Sequence, residues 1–277
     1  MNSSIPIAVS TGTLYPLSTL DSIQQFKQLG IQDIELTLQQ SEVALTFERE
    51  FSMPILLELS ARVQRGELCV RSVHAPQMSA ERCYNLWART QFLIHSIEVC
   101  RSLAGKLVVI HPVHLFRTHE EALDYLAGSR ALSASALLPE ILHVLDQAHA
   151  GGIKLALENI QDWSDEVFLN EPRNVSRLLG DMNHPALGVT LDLMHAKVSG
   201  FLEEFADLLT AEIVNIHASD MGLPIKRVPV GKGIIDWGDL LPRLRRLPNL
   251  RQITVELRNP QPEELIHSMQ LLSGYLV

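Results

Sequence analysis

Eight short apolar runs, separated by longer stretches of helical period, restrict the fold of this chain more than any other feature. The runs are "IPIAVS" (5–10), "IQDIEL" (31–36), "LCVRSVH" (68–74), "KLVVIH" (106–111), "IKLALE" (153–158), "ALGVTLD" (186–192), "EIVNIH" (212–217) and "RQITVE" (251–256). Most are nearly continuous in apolar residues, the pattern of parallel strands covered on both faces rather than of half-exposed hairpins. Between them, apolar residues recur at three- and four-residue steps. In 81–104 the stripe is Cys83, Trp87, Thr90, Ile94, Ile97 and Cys100, closed by Ala104-Gly105; in 137–150 it is Leu138, Ile141, Leu145 and Ala148, closed by Gly151-Gly152. Similar stripes near 19–29, 54–65, 174–181, 201–209, 237–247 and 263–275 continue the alternation. Strand followed by helix, eight times over, predicts an α/β chain closed into a (β/α)8 TIM barrel. An open doubly wound sheet is the alternative, but eight units suit closure better and no glycine-rich fingerprint follows the first run. No linker of biased composition interrupts the chain, so residues 1–277 are read as a single domain.

Charge and cysteine usage narrow the setting. Lys plus Arg number 23 against 32 Asp plus Glu, a net charge of -9, and "RLRR" (243–246) is the longest basic cluster. Phosphate binding feeds on Lys and Arg, so neither nucleic acid nor an anionic membrane is expected as the main partner. Cys69, Cys83 and Cys100 are odd in number and spaced neither as a disulfide framework nor as a zinc knuckle, which suits a reduced cytoplasm. The N-terminal stretch "MNSSIPIAVSTG" lacks the basic residues of a secretion signal, and no run approaches the roughly 18 apolar residues of a membrane span. A cytoplasmic, membrane-free protein is the expectation.

The ends of the runs carry the chemistry. In a (β/α)8 barrel the C-terminal ends of the strands surround the active site. Seven of the eight runs deliver a titratable residue there: Glu35, His74, His111, Glu158, Asp192, His217 and Glu256. One such residue could be an ordinary, partly solvated strand end. Seven are a different matter, because a ring of carboxylates and imidazoles repels and desolvates itself unless a cation sits among them.

Five motifs extend this reading: "ALENI" (156–160), "LDLMH" (191–195), "NIHASD" (215–220), "VGKGIIDW" (230–237) and "TVELR" (254–258). In this order and at these intervals they resemble the xylose-isomerase-like TIM-barrel superfamily, which includes ketose 3-epimerases, hydroxypyruvate-isomerase-like enzymes, inosose dehydratases and endonuclease IV. The resemblance runs from "IAVSTG" to "TVELR". It implies one divalent metal ion held by Glu158, Asp192, His217 and Glu256. Three carboxylates and an imidazole make a hard, oxygen-rich site, better suited to Mn2+, Mg2+ or Co2+ than to a thiolate-bound structural zinc, with Zn2+ a further candidate.

On the sugar-acting branch, the substrate would be a small carbohydrate whose vicinal hydroxy-carbonyl oxygens chelate the metal. Glu158 and Glu256 would move a proton through an enediolate, giving isomerisation or epimerisation. Arg227, in "RVPVGKG", lies where ketose 3-epimerases carry a substrate-binding Arg. Glu35 and Trp163 are further substrate-binding candidates, Trp163 by stacking on a sugar ring. His74, His111 and His195 are candidates for a second metal or for substrate.

The same two histidines at 74 and 111 resemble second-zinc ligands of endonuclease IV, which makes a metal-dependent phosphodiesterase acting on abasic DNA the competing reading. Its third zinc needs a D-x-H pattern before the glycine pair, where this chain has Ile225 and Arg227. A catalytically silent sugar-binding barrel is the third reading. Gly231 and Gly233 read as a turn that sets their loop against the barrel. Residues 112–133, with His114, Phe116, Arg117 and His119, are long enough to form a lid. Barrels of this kind often pair, so a homo-oligomer is one option, and the sequence does not fix the oligomeric state.

Overall fold

Each apolar run forms a strand. The computed structural model of the protein describes residues 5–38, 53–76, 86–112, 115–116, 124–125, 127–128, 138–160 and 170–276. The barrel strands are β1 (Ile7–Ser10), β2 (Asp33–Thr37), β3 (Cys69–His74), β4 (Leu107–Ile110), β5 (Lys154–Glu158), β6 (Leu187–Asp192), β7 (Ile213–Ala218) and β10 (Gln252–Val255). They pair in parallel and close in the order β1-β10-β7-β6-β5-β4-β3-β2, so the expected TIM barrel is the observed one. Between β7 and β10 the chain adds an antiparallel hairpin, β8 (Asp220–Gly222) and β9 (Lys226–Val228).

The helices are α1 (Thr19–Gln28), α2 (Met53–Gln64), α3 (Leu86–Ser102), α4 (Leu138–Ala150), α5 (Pro172–Met182), α6 (Leu193–Val198), α7 (Leu202–Leu208), α8 (Trp237–Leu244) and α9 (Pro262–Leu276). Local chemistry explains several of their ends. Ser18 accepts from the Asp21 N–H at 3.2 Å and starts α1. Pro172 opens α5, where its fixed φ costs nothing, and Asn183 closes it in the left-handed region at φ 41°. Asp236 caps α8 through the Asp239 N–H. Among the described residues, no helix is long and apolar enough to cross a membrane.

Strand alternation divides the core in two. Val108, Ile110, Leu155, Leu157, Val189 and Leu191 join the large cluster packed under the helices, whereas Leu107, Val109, Ala156 and Val214 form a small separate cluster inside the barrel. Each buried Leu, Ile or Val side chain of this kind contributes roughly 1.5–3 kcal/mol, and truncating Leu155 to Ala would cost about 2–5 kcal/mol. Above the inner cluster the lumen turns polar. Gln252 donates to Ser72 Oγ at 2.7 Å and to Thr254 Oγ1 at 3.0 Å, and Asn215 donates to Thr190 Oγ1 at 3.3 Å.

Two register shifts build that layer. On β7 the partners run Val189 with Ile213 and then Thr190 with Asn215, so consecutive Val214 and Asn215 both serve the lumen. On β3 they run Ile34 with Val70 and then Glu35 with Ser72. Bulges of this kind re-aim side chains beside active sites. Here they seat a polar floor beneath the strand ends.

Candidate metal centre

Glu158 ends β5 inside the lumen, and its two oxygens face different neighbours. Oε1 lies 3.1 Å from His217 Nδ1; Oε2 lies 3.0 Å from His74 Nε2 and 3.2 Å from His111 Nε2. Two groups of ligand atoms result, each with its members within 4.8 Å of one another: His74, His111 and Glu158, and Glu158, Asp192, His217 and Glu256. Glu158 belongs to both. All six are buried except Glu256, whose side chain is 22% exposed.

Neighbouring groups fix how each ligand atom is presented. A carbonyl can only accept, so the 2.7 Å contact of His74 Nδ1 with the Ala75 oxygen puts a proton on Nδ1 and turns Nε2 toward Glu158. Asp192 spends Oδ1 on the His195 N–H at 2.7 Å, the cap that starts α6, and turns Oδ2 to Arg227. Asn159 clamps the end of β6 by accepting from the Asp192 N–H at 2.7 Å and donating to the Asp192 carbonyl at 3.1 Å. The amide after Glu158 therefore holds Asp192 in place, a role that its position in "ALENI" marks only as a polar residue at a strand end.

Arg227 enters from the hairpin. Its Nη2 donates to Asp192 Oδ2 at 2.8 Å and to His195 Nε2 at 3.0 Å and lies 3.2 Å from Glu256 Oε2, while Nη1 donates to Ser219 Oγ at 2.8 Å. His195 gives its Nδ1 proton to the Asn159 carbonyl at 2.9 Å, which leaves Nε2 as acceptor. The hairpin is tied down by Asp220. This buried carboxylate accepts from the N–H groups of Met221, Gly231 and Ile235 at 2.7, 3.2 and 3.0 Å and from Trp237 Nε1 at 2.7 Å. A Cβ at Gly233 would collide with the Asp220 carboxylate, so the glycine serves close approach, in agreement with a turn set against the barrel.

Burial alone would neutralise these groups, but opposite charges at contact distance outweigh it. Burial raises the Glu158 pKa, yet His217 and the three histidine hydrogen bonds hold it well below the usual carboxylate range. Glu256 is likewise kept low by Arg227 and His217 against its burial. His217 is driven well above an ordinary imidazole by Glu35, Glu158 and Glu256, again against burial. His74 is pushed up to about 8, because the Glu158 hydrogen bond and charge exceed the cost of burial. Burial keeps His111 low despite Glu158.

The donor set fits a divalent ion. Four carboxyl groups, Glu35, Glu158, Asp192 and Glu256, stand against one permanent cation, Arg227, and they drive His217 and His74 toward their protonated forms. A metal ion takes the place of such protons, since it needs the imidazole nitrogen bare. Buried Glu256 Oε2 also lacks a well-aligned hydrogen-bond partner. The oxygen-rich group suits Mn2+, Mg2+ or Co2+; the group with two imidazoles and one carboxylate suits zinc.

Of the residues singled out from the sequence, His74, His111, Asp192, His217 and Glu256 gather around Glu158 as described, and His195 and Arg227 pair beside Asp192. Glu35 is 0% exposed and faces His217 and Ser72. Trp163, His114, Arg117 and His119 lie outside the described residues. Phe116 is buried against Tyr125, ring centroids 5.8 Å apart.

Comparison with known proteins gives the same architecture. Residues 23–275 match the family described as a xylose isomerase-like TIM barrel. The uncharacterized protein MJ1311 of Methanocaldococcus jannaschii is 24% identical over 185 residues, covering 65% of this chain and 60% of that protein, which is less than two thirds of its length. Among solved structures, a D-tagatose 3-epimerase-like protein is 19% identical with a TM-score of 0.72, covering 98% of this chain and 97% of its own. An AP endonuclease, family 2, from Brucella melitensis is 14% identical at 0.72, covering 96% and 98%. The IOLI protein, described with a binding zinc atom, is 18% identical at 0.70, covering 99% and 98%. At these identities the structural likeness establishes the fold.

Proposed function

The chain belongs to the xylose isomerase-like TIM-barrel family, a family largely of enzymes, and from that premise we propose that it is a divalent-metal-dependent isomerase or epimerase of a small sugar or sugar derivative. One observation carries the reading: the ligand atoms of Glu158, Asp192, His217 and Glu256, from four separate strand ends, lie within 4.8 Å of one another. A divalent ion held by these four would draw charge from two neighbouring substrate oxygens and so acidify the carbon-bound proton between them.

The chain's own residues do the rest. Glu158 and Glu256 are both held ionised by their cationic neighbours, the state a proton acceptor must be in. Glu158 is boxed in by His74, His111 and His217, whereas Glu256 keeps the more open side chain, so the two acids present themselves to a substrate carbon from different surroundings. Return of the proton to the neighbouring carbon gives isomerisation, and return to the opposite face gives epimerisation. Arg227 has further N–H donors for a substrate oxygen beyond those spent on Ser219, Asp192 and His195.

A second reading has its own observation. His74, His111 and Glu158 form a further ligand group that a single-metal sugar enzyme does not require. Two ions sharing Glu158 would suit a phosphodiesterase of the endonuclease IV kind. Arg227 in the hairpin and the net charge of -9 weigh against it. The experiment is elemental analysis of the purified protein, followed by solvent-deuterium incorporation into a panel of ketoses and by nicking of a duplex with an abasic site. Deuterium uptake with one bound ion supports the isomerase; nicking with two supports the phosphodiesterase; sugar binding without either activity leaves a silent barrel.

A further inference from the structure

Glu35 does not lie where a substrate contact would. It is completely buried, and its carboxylate is shared between two lumen side chains. Oε1 sits 3.1 Å and Oε2 3.4 Å from His217 Nε2, and Oε2 accepts from Ser72 Oγ at 2.8 Å. Ser72 is held in turn by Gln252 Nε2 at 2.7 Å, and Gln252 by Thr254 at 3.0 Å. The other nitrogen of the same imidazole, His217 Nδ1, lies 3.1 Å from Glu158 Oε1 and 3.2 Å from Glu256 Oε2. One ring thus spans from the candidate ion position to a carboxylate beneath it.

From this arrangement we infer that Glu35 is a positioning residue, which orders the metal-binding face of His217 from below instead of touching substrate. The inference rests on the metal-dependent reading above. Two physical effects act together. The carboxylate only accepts, so it keeps a proton on Nε2 and leaves the Nδ1 lone pair for the ion; its buried negative charge also strengthens the imidazole as a donor. The register shift pairs Glu35 with Ser72 across the two strands, and in that pairing the Ser72 hydroxyl donates to the Glu35 carboxylate.

The test is the affinity of full-length protein for Mn2+, and for Co2+ as a spectroscopic probe, measured by competition with a chromogenic chelator. Glu35→Ala is expected to weaken binding about 10- to 100-fold and to change the Co2+ visible bands. Glu35→Gln can still accept the Nε2 proton through its amide oxygen while lacking the charge, so it should fall between wild type and Glu35→Ala. Circular dichroism and thermal unfolding of the metal-free variants check the fold; if Glu35→Ala does not fold, Glu35→Gln alone decides. Folded variants that bind within about twofold of wild type, with unchanged Co2+ bands, overturn the inference while leaving the metal site itself standing. A wild-type protein that binds neither ion overturns both.

Discussion

The two ligand groups that meet at Glu158 are built on opposite principles. On one side stand His74 and His111, two imidazoles with a single shared carboxylate; on the other stand Asp192, Glu256 and His217, with Arg227 already paired to both acids. The first group has little negative charge to offer and depends on bare nitrogen. The second has a surplus of negative charge and keeps a guanidinium in residence. An ion on the acidic side therefore shares its carboxylates with a fixed cation and displaces the proton that they hold on His217, whereas an ion on the histidine side meets no guanidinium and has beside His74 a His111 that burial keeps low. On the proposed isomerase reading, the chemistry falls to the acidic side and the histidine side is the variable element.

The harshest way to break the comparison is Glu158→Gln, which removes the group common to both sides. Turnover should fall on the order of 10^3-fold or more, with bound metal lost on elemental analysis. Arg227→Ala strikes the acidic side alone. It should cost roughly 10- to 100-fold in kcat/KM, and Arg227→Lys should recover only part, because an ammonium cannot reach Ser219 and Asp192 together as the fork does. The pair His74→Ala and His111→Ala strikes the other side. On the sugar reading, deuterium exchange should change by less than about 10-fold; a collapse as deep as that of Glu158→Gln would transfer the chemistry to the histidine side.

The mildest test is pH. The pKa of His74 in the folded protein, about 8, stands above its ordinary 6.5, so its contribution is fully present below pH 6.5 and is lost as pH rises through 8. Metal-free protein should lose at most about 2 kcal/mol over that window, read as a drop of a few degrees in Tm. His74→Gln should flatten the slope.

The strands and the ring of titratable ends were legible because both follow from local pattern: continuous apolar runs that stop on Glu, Asp or His. What local pattern does not carry is which atoms meet. Glu35 ends a run as His74 does, yet a one-residue shift between β2 and β3 pairs it with Ser72, and barrel closure brings it to His217. Asn159 looks like any polar residue after a strand, and only closure of the barrel brings it to the Asp192 backbone. The helix Leu193–Val198 and the hairpin around "LPIK" are too short for periodicity to register, so sequence pattern does not carry the surroundings of Arg227.

The four donors on Asp220 have a consequence for traffic. An excursion from a barrel would ordinarily sway, and a guanidinium at its end would sway with it. Here Trp237 and three backbone amides moor the excursion to one buried acid, so Arg227 belongs to the masonry of the pocket. A molecule that binds there would meet a donor already set in place beside Asp192 and Glu256.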